Sequence, residues 1–132
     1  MHALASYDYA VVRVVPRVER GEFLNVGVIL FCRPRRFLST RIAFDNERLQ
    51  VFAPSLDLEE VQYYLDLLVR VSTGGKDAGP IGELSQSERF HWLVAPRSTV
   101  IQTSPMHSGL CADPEKTLQA LLEKLVHVKE HS

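Results

Sequence analysis

The sequence of 132 residues predicts an α+β domain, a mostly antiparallel sheet of about four strands with two longer helices packed on one face. Three observations carry this. Runs rich in β-branched and aromatic residues fill the first third of the chain. Apolar residues recur at three- and four-residue steps after Asp57 and again after Asp113. The links between the first runs are too short for a crossover, so neighbouring strands must run antiparallel.

Residues 7–15 (YDYAVVRVV) read as a strand stopped by Pro16. Residues 22–32 (EFLNVGVILFC) are a second, apolar on both faces: Leu24, Val26, Val28 and Leu30 on one, Phe23, Ile29 and Phe31 on the other. Such a strand belongs at the centre of a sheet. After the basic turn Arg33-Pro34-Arg35-Arg36, residues 37–44 alternate with Leu38, Ile42 and Phe44 inward and Ser39 and Arg41 outward, completing a three-stranded meander. From Asp57 the period changes: Leu58, Val61, Leu65 and Leu68 form a helical stripe, widened by Tyr64 and Val71, with Ser55 or Asp57 as cap. The stripe ends before Gly74-Gly75, and 74–82 (GGKDAGPIG) read as a mobile loop. Ser85 or Ser87 opens a short helix through Trp92, ended before Pro96; 99–103 is a fourth strand. Asp113 then caps a final helix with Pro114 at its first position and Leu118, Leu121, Leu122, Leu125 and Val128 as its stripe. Nothing marks a boundary, so 1–132 is expected to be one domain.

A hydrophobic fraction of 45% with 23% charged residues is ordinary globular usage, and no run approaches the ~18 apolar residues a membrane span needs. The start carries no basic then apolar segment, so no signal peptide is expected, and Cys32 and Cys111 are too few for a disulfide scaffold. A reduced, cytoplasmic setting follows as the expectation. The net charge of −1 is unevenly spread: residues 1–48 hold eight arginines, no lysine and five acids, leaving +3 there and −4 in the rest. Ion pairing between the two halves is the favoured account. Nucleic-acid binding through Arg17, Arg33, Arg35 and Arg36 is the less favoured one, because the chain is not basic overall.

Phosphate-loop, dinucleotide and nucleophile-elbow signatures are absent, and His107 with Cys111 supplies only two of the four ligands of a structural zinc site. No metal and no cofactor are expected. Two stretches remain. In Arg20-Gly21-Glu22-Phe23-Leu24-Asn25-Val26-Gly27-Val28, a polar Asn25 inside a central strand needs a partner for its amide, and Gly27 leaves room for close approach of a backbone or ligand. The two readings are a β-bulge, with Glu22 paired to Arg20 or Arg13, and a polar notch lined by Asn25, Glu22 and arginines. In the second stretch, Arg97, Ser98 and Thr99, followed by Gln102, Ser104 and His107, present a guanidinium, hydroxyls and amides that suit an anion. The alternative is local turn chemistry, with Arg97 paired to an acid of the helices.

These two stretches also carry a resemblance. Residues 20–28, residues 89–99 (Arg-Phe-x-Trp-Leu-x-Ala-Pro-Arg-Ser-Thr), the run from Ser104 to Leu110, and Asp113-Pro114 resemble the bacterial domain of unknown function family 3037, over residues 7 to about 126. The family often has Val where Met106 stands. The resemblance implies a small bacterial protein with no assigned activity or cofactor. It also implies a protein partner, since some members are encoded beside a protein similar to the HipA kinases.

The leading expectation is a binding or accessory module without catalysis. It would engage a partner protein, or an anionic group, through Arg20, Glu22, Asn25 and Gly27 with Arg97, Ser98, Thr99, Gln102, Ser104 and His107. The alternative is a small enzyme acting on a phosphate or phosphodiester bond, with His107 moving protons and Arg97 and Arg20 steadying charge. That alternative requires His107 and Arg97 to share one cleft.

Overall fold

A computed structural model of the chain describes residues 3–97 and 99–127. The fold is α+β, built on an antiparallel sheet. Strands β1 (Ala5–Val14), β2 (Leu24–Cys32) and β3 (Phe37–Ile42) form the expected meander, with β2 between the other two. On the far side of β1, β4 (Ile101–Thr103) pairs with its C-terminal part and β5 (His107–Cys111) with its N-terminal part. β5 was not expected as a strand. The helices are α1 (Asn46–Phe52), α2 (Leu58–Thr73), α3 (Gln86–Leu93) and α4 (Pro114–Leu125).

The helix ends follow the sequence. Asp57 accepts from the backbone of Glu59 and Glu60, Ser85 and Glu88 form a capping box, and Asp113 accepts from Glu115 and Lys116 with Pro114 at the first turn. α1 was missed because only Leu49 of its residues is buried, so no periodic stripe marks it. The segment Lys76–Glu83, expected as a loop, is a run of 3-10 turns that buries Ala78 and Gly82.

The two longer helices do not share a face as expected; each takes its own. Ile29, Phe31, Val12 and Val14 pack with Val61, Leu65, Leu68 and Val71 of α2 and Phe90 and Leu93 of α3. Val28, Leu30 and Cys32 pack with Leu118 and Leu122 of α4, Val126, and Cys111. The reason lies in β2, whose Val26–Cys32 stretch is buried throughout: a strand apolar on both faces needs cover on both. Arg41, expected outward, therefore meets α4, pairing with Glu115 and donating to Gln119 Oε1 at 3.1 Å. Val128, assigned to the α4 stripe, lies outside the described residues.

Candidate functional site

The first stretch is a bulge. The β1–β2 register shifts between Val12 and Arg13: Val12 faces Gly27 while Arg13 faces Asn25, leaving Val26 as the extra residue. Asn25 is thereby placed on the α4 side, where its Nδ2 donates to the Leu125 carbonyl at 3.1 Å. Its Oδ1, and the Nε of Arg13 opposite, are buried without a partner among the described residues. Arg13 instead lays its guanidinium 3.9 Å from the centroid of Phe23. Gly27 is where β3 comes close: a Cβ there would stand 2.8 Å from the Arg41 carbonyl oxygen. Glu22 pairs with Arg20, both exposed, in the β1–β2 connection.

The second stretch is largely turn chemistry. Thr99 Oγ1 donates to the Ile101 carbonyl at 2.7 Å, and Gln102 Nε2 to that of Thr99 at 2.9 Å. Ser104 is buried and splices β4 to β5. Its N–H donates to the Val11 carbonyl, and its Oγ accepts the Val11 N–H, both at 2.9 Å. Ser98 lies outside the described residues. Arg97 does not pair with a helix acid, as the alternative expected. It donates to the carbonyls of Leu93 and Trp92 at 3.1 and 2.6 Å, satisfying the C-terminal end of α3. Arg89, from the same stretch, does this for α2: it donates to the carbonyls of Val71 and Ser72 at 2.9 and 2.8 Å, and to Leu84 at 3.1 Å.

The expected residues are not gathered in one place. Asn25 lines a polar cavity of 590 Å³ with Asp45, Arg48 and His127, whereas Arg20 and Glu22 border a 300 Å³ cleft beside Pro54. His107 is exposed, its ring 5.2 Å from that of Tyr9, and Tyr9 packs against the α4-side core. Arg97 lies on the other side, next to Trp92 of the α2-side core. Ring and guanidinium thus lie against opposite cores of the sheet. Arg17 sits at one end of β2, and the turn of Arg33, Arg35 and Arg36 follows the other end, about 30 Å away for nine extended residues. Among the described residues no group of three or more His, Cys, Asp or Glu is placed to hold a metal. No helix there is long and apolar enough to cross a membrane.

Two of the expected residues, Arg97 and Thr99, do meet at one feature. They border a groove of about 510 Å³ between α2 and the segment of Thr99, Val100 and Ile101, lined also by Leu56, Val61, Tyr64, Leu67 and Trp92. That volume falls in the range of ligand sites. Arg97 is half-buried in its lining, 4.5 Å from the Trp92 ring centroid, with no carboxylate within 4 Å among the described residues. Burial pushes its pKa down from the ordinary arginine value. Asp57 and Glu60 line the α2 wall. Sequence reasoning counted Tyr64 in the core-facing stripe and used Trp92 only to mark the end of a short helix. The available signal was width: Tyr64 and Leu67 lie beyond the Val61–Leu65–Leu68 line that the sheet itself buries.

A family model described as Protein of unknown function (DUF3037) matches residues 9–126, two residues short at its start of the span expected from the resemblance. No curated protein and no solved structure matches the chain.

Proposed function

The chain belongs to the family of unknown function DUF3037, and from that premise we propose that it is a binding module without catalysis of its own. Its site is the groove beneath Arg97, and its occupant is an apolar segment of a partner protein that carries a carboxylate. One observation supports this above the rest: a half-buried guanidinium, with no carboxylate within 4 Å among the described residues, lines an apolar groove. A cation partly removed from water gains from a ligand anion, and a planar fork held by two carbonyls and stacked on an indole is already oriented to receive one. The Asp57 and Glu60 carboxylates on the α2 wall repel an anion there, which fixes the occupant's direction.

The test uses Trp92, the chain's one tryptophan, as reporter. N-acetyl-Leu-Leu-Glu amide is titrated against its isosteric Gln counterpart, with decanoate in a third arm. Saturable change with the Glu peptide, weakened at least about tenfold with Gln and lost in Arg97→Leu, supports the reading. Equal response to Glu and Gln overturns the role of Arg97. Response to decanoate alone makes the occupant a free amphiphile, and no response in any arm removes the groove as a site.

A second reading has its own observation. Arg33, Arg35 and Arg36 are exposed in one turn with no carboxylate within 4 Å among the described residues, as a nucleic-acid contact would require. Binding of a labelled oligonucleotide that falls steeply with added salt, and is lost when these arginines are changed to alanine, would favour it. Flat binding across the salt series dismisses it.

A further inference from the structure

The two outer edges of the sheet are finished differently. At β3 the edge is closed by α2: the Thr40 N–H donates to Ser72 Oγ at 3.1 Å, and the Ser72 hydroxyl passes the bond on to the Val69 carbonyl at 2.8 Å. β5 pairs with β1 on one side and, among the described residues, with nothing on the other. In an antiparallel ladder every second residue of such a strand turns its N–H and C=O outward.

The usual protections of an open edge are thin here. Residues 105–111 (PMHSGLC) contain no Lys, Arg, Asp or Glu, the side chains that most often block pairing. Pro105 precedes the strand and leaves its five residues free to pair. Exposed apolar side chains stand on and beside the strand, next to a Ser108 hydroxyl that donates to Asp8 Oδ1 at 2.6 Å. Leu110 is 66% exposed, Leu4 65% and Met106 51%. Leu110 faces Ser6 across the ladder, so Leu110 and Leu4 lie on the same side of the sheet as diagonal neighbours. α2 and α3 do not reach this corner, since their buried residues pack with β2, β3 and the C-terminal part of β1. Exposed leucines grouped along an unpaired edge mark an association surface.

We propose that β5 is a self-association edge, on which a second copy of this chain adds its own β5 antiparallel about a two-fold axis. The charge pattern selects this occupant. Two identical strands meet without penalty only where the strand is uncharged, as it is here, and a two-fold presents the same patch to itself. The pairing extends the sheet from one subunit into the other and brings the two Leu110 side chains to one face, each covering the other. It leaves the groove lined by Arg97 open, because that groove lies between α2 and the segment of Thr99, Val100 and Ile101.

Sedimentation velocity on the full chain over a concentration series tests it, with Leu110→Lys and Leu110→Glu as variants. Leu110 is exposed, so both variants should keep the wild-type melting temperature, which is checked first. The expected result is a wild-type dimer, a dissociation constant raised at least about tenfold in either variant alone, and recovery of dimer when the two are mixed. A wild-type chain that stays monomeric through the series overturns the proposal. So does a dimer that both substitutions leave unchanged, which would place the contact elsewhere.

Discussion

The guanidinium carbon of Arg97 lies 4.5 Å from the centroid of the Trp92 ring, while its two terminal nitrogens donate to the carbonyls of Trp92 and Leu93. One side chain therefore ends α3, fixes the indole and faces the groove. A lysine would keep the charge and lose the fork.

The Arg97→Lys variant is expected to lose about 1–2 kcal/mol of stability, since charge-assisted bonds to carbonyls at a partly exposed site are worth about that much. Arg97→Leu should lose a similar amount and all preference for a carboxylate over an amide ligand. Urea melts and the Trp92 titration read the two effects separately. If the lysine variant matches wild type in both, the planar fork has no role.

Arg89 is the purer case of the same device. It is only 8% exposed, and its three donations go to carbonyls of Val71, Ser72 and Leu84. Gly74 packs against it so closely that a Cβ would stand 2.7 Å from the guanidinium, at a φ of +83° that disfavours other residues anyway. Arg89→Ala leaves buried carbonyls unpaired, and the expected loss is about 3 kcal/mol or more. Arg89→Lys, with one donor group in place of a fork, should recover under half of it. A loss below about 1 kcal/mol for the alanine variant would show that water satisfies those carbonyls instead.

Sequence reading goes furthest where the signal is local. The caps at Asp57, Ser85 and Asp113 and the stripes they begin are chemistry within a few residues, and all three helices form. The bulge at Asn25 and Gly27 was readable as one of two alternatives, because a strand Asn followed by Gly has few uses. The partner of Asn25 was not, since Leu125 is 100 residues away. The placement of α4 opposite α2 follows from the double apolar face of β2, yet local pattern alone does not assign a helix to a face. Arg97 looked like a ligand group, and Arg89 drew no role at all, because main-chain carbonyls, their actual partners, have no sequence signature. The groove is a relation between α2 and a turn 30 residues further on, which no spacing announces.

Gly27 gives a test of the bulge itself. A Cβ there would meet Ile42 Cδ1 at 2.5 Å and the Arg41 carbonyl oxygen at 2.8 Å. The isoleucine methyl can turn away, but the carbonyl belongs to the β2–β3 ladder, where Gly27 faces Ile42. Gly27→Ala should therefore cost about 2 kcal/mol, within the range of overpacked cores, despite the entropy an alanine saves in the unfolded chain. Thermal and urea melts check this. An unchanged or raised midpoint would mean that β3 moves outward at little cost, and would release Gly27 from its structural role.

The last prediction concerns pH. Cys111 is buried where β5 ends, and its thiol is pushed up from the ordinary value of 9.0, first by burial and then by the neighbouring Cys32; Thr117 and Arg35 pull weakly the other way. A raised folded-state pKa means that the unfolded chain releases the proton more readily. Its stabilising effect is therefore complete below about pH 9 and is lost as pH rises toward the folded-state value. Wild type should hold a constant urea midpoint from pH 7 to about 8.5 and then decline. Tyr7, also raised mainly by burial, adds to the decline only nearer pH 10. Cys111→Ala removes the thiol and should flatten the curve between pH 8.5 and about 9.5, while starting slightly less stable at pH 7 from lost packing. A decline of equal slope in the variant would assign the alkaline sensitivity to other groups and leave Cys111 as inert core.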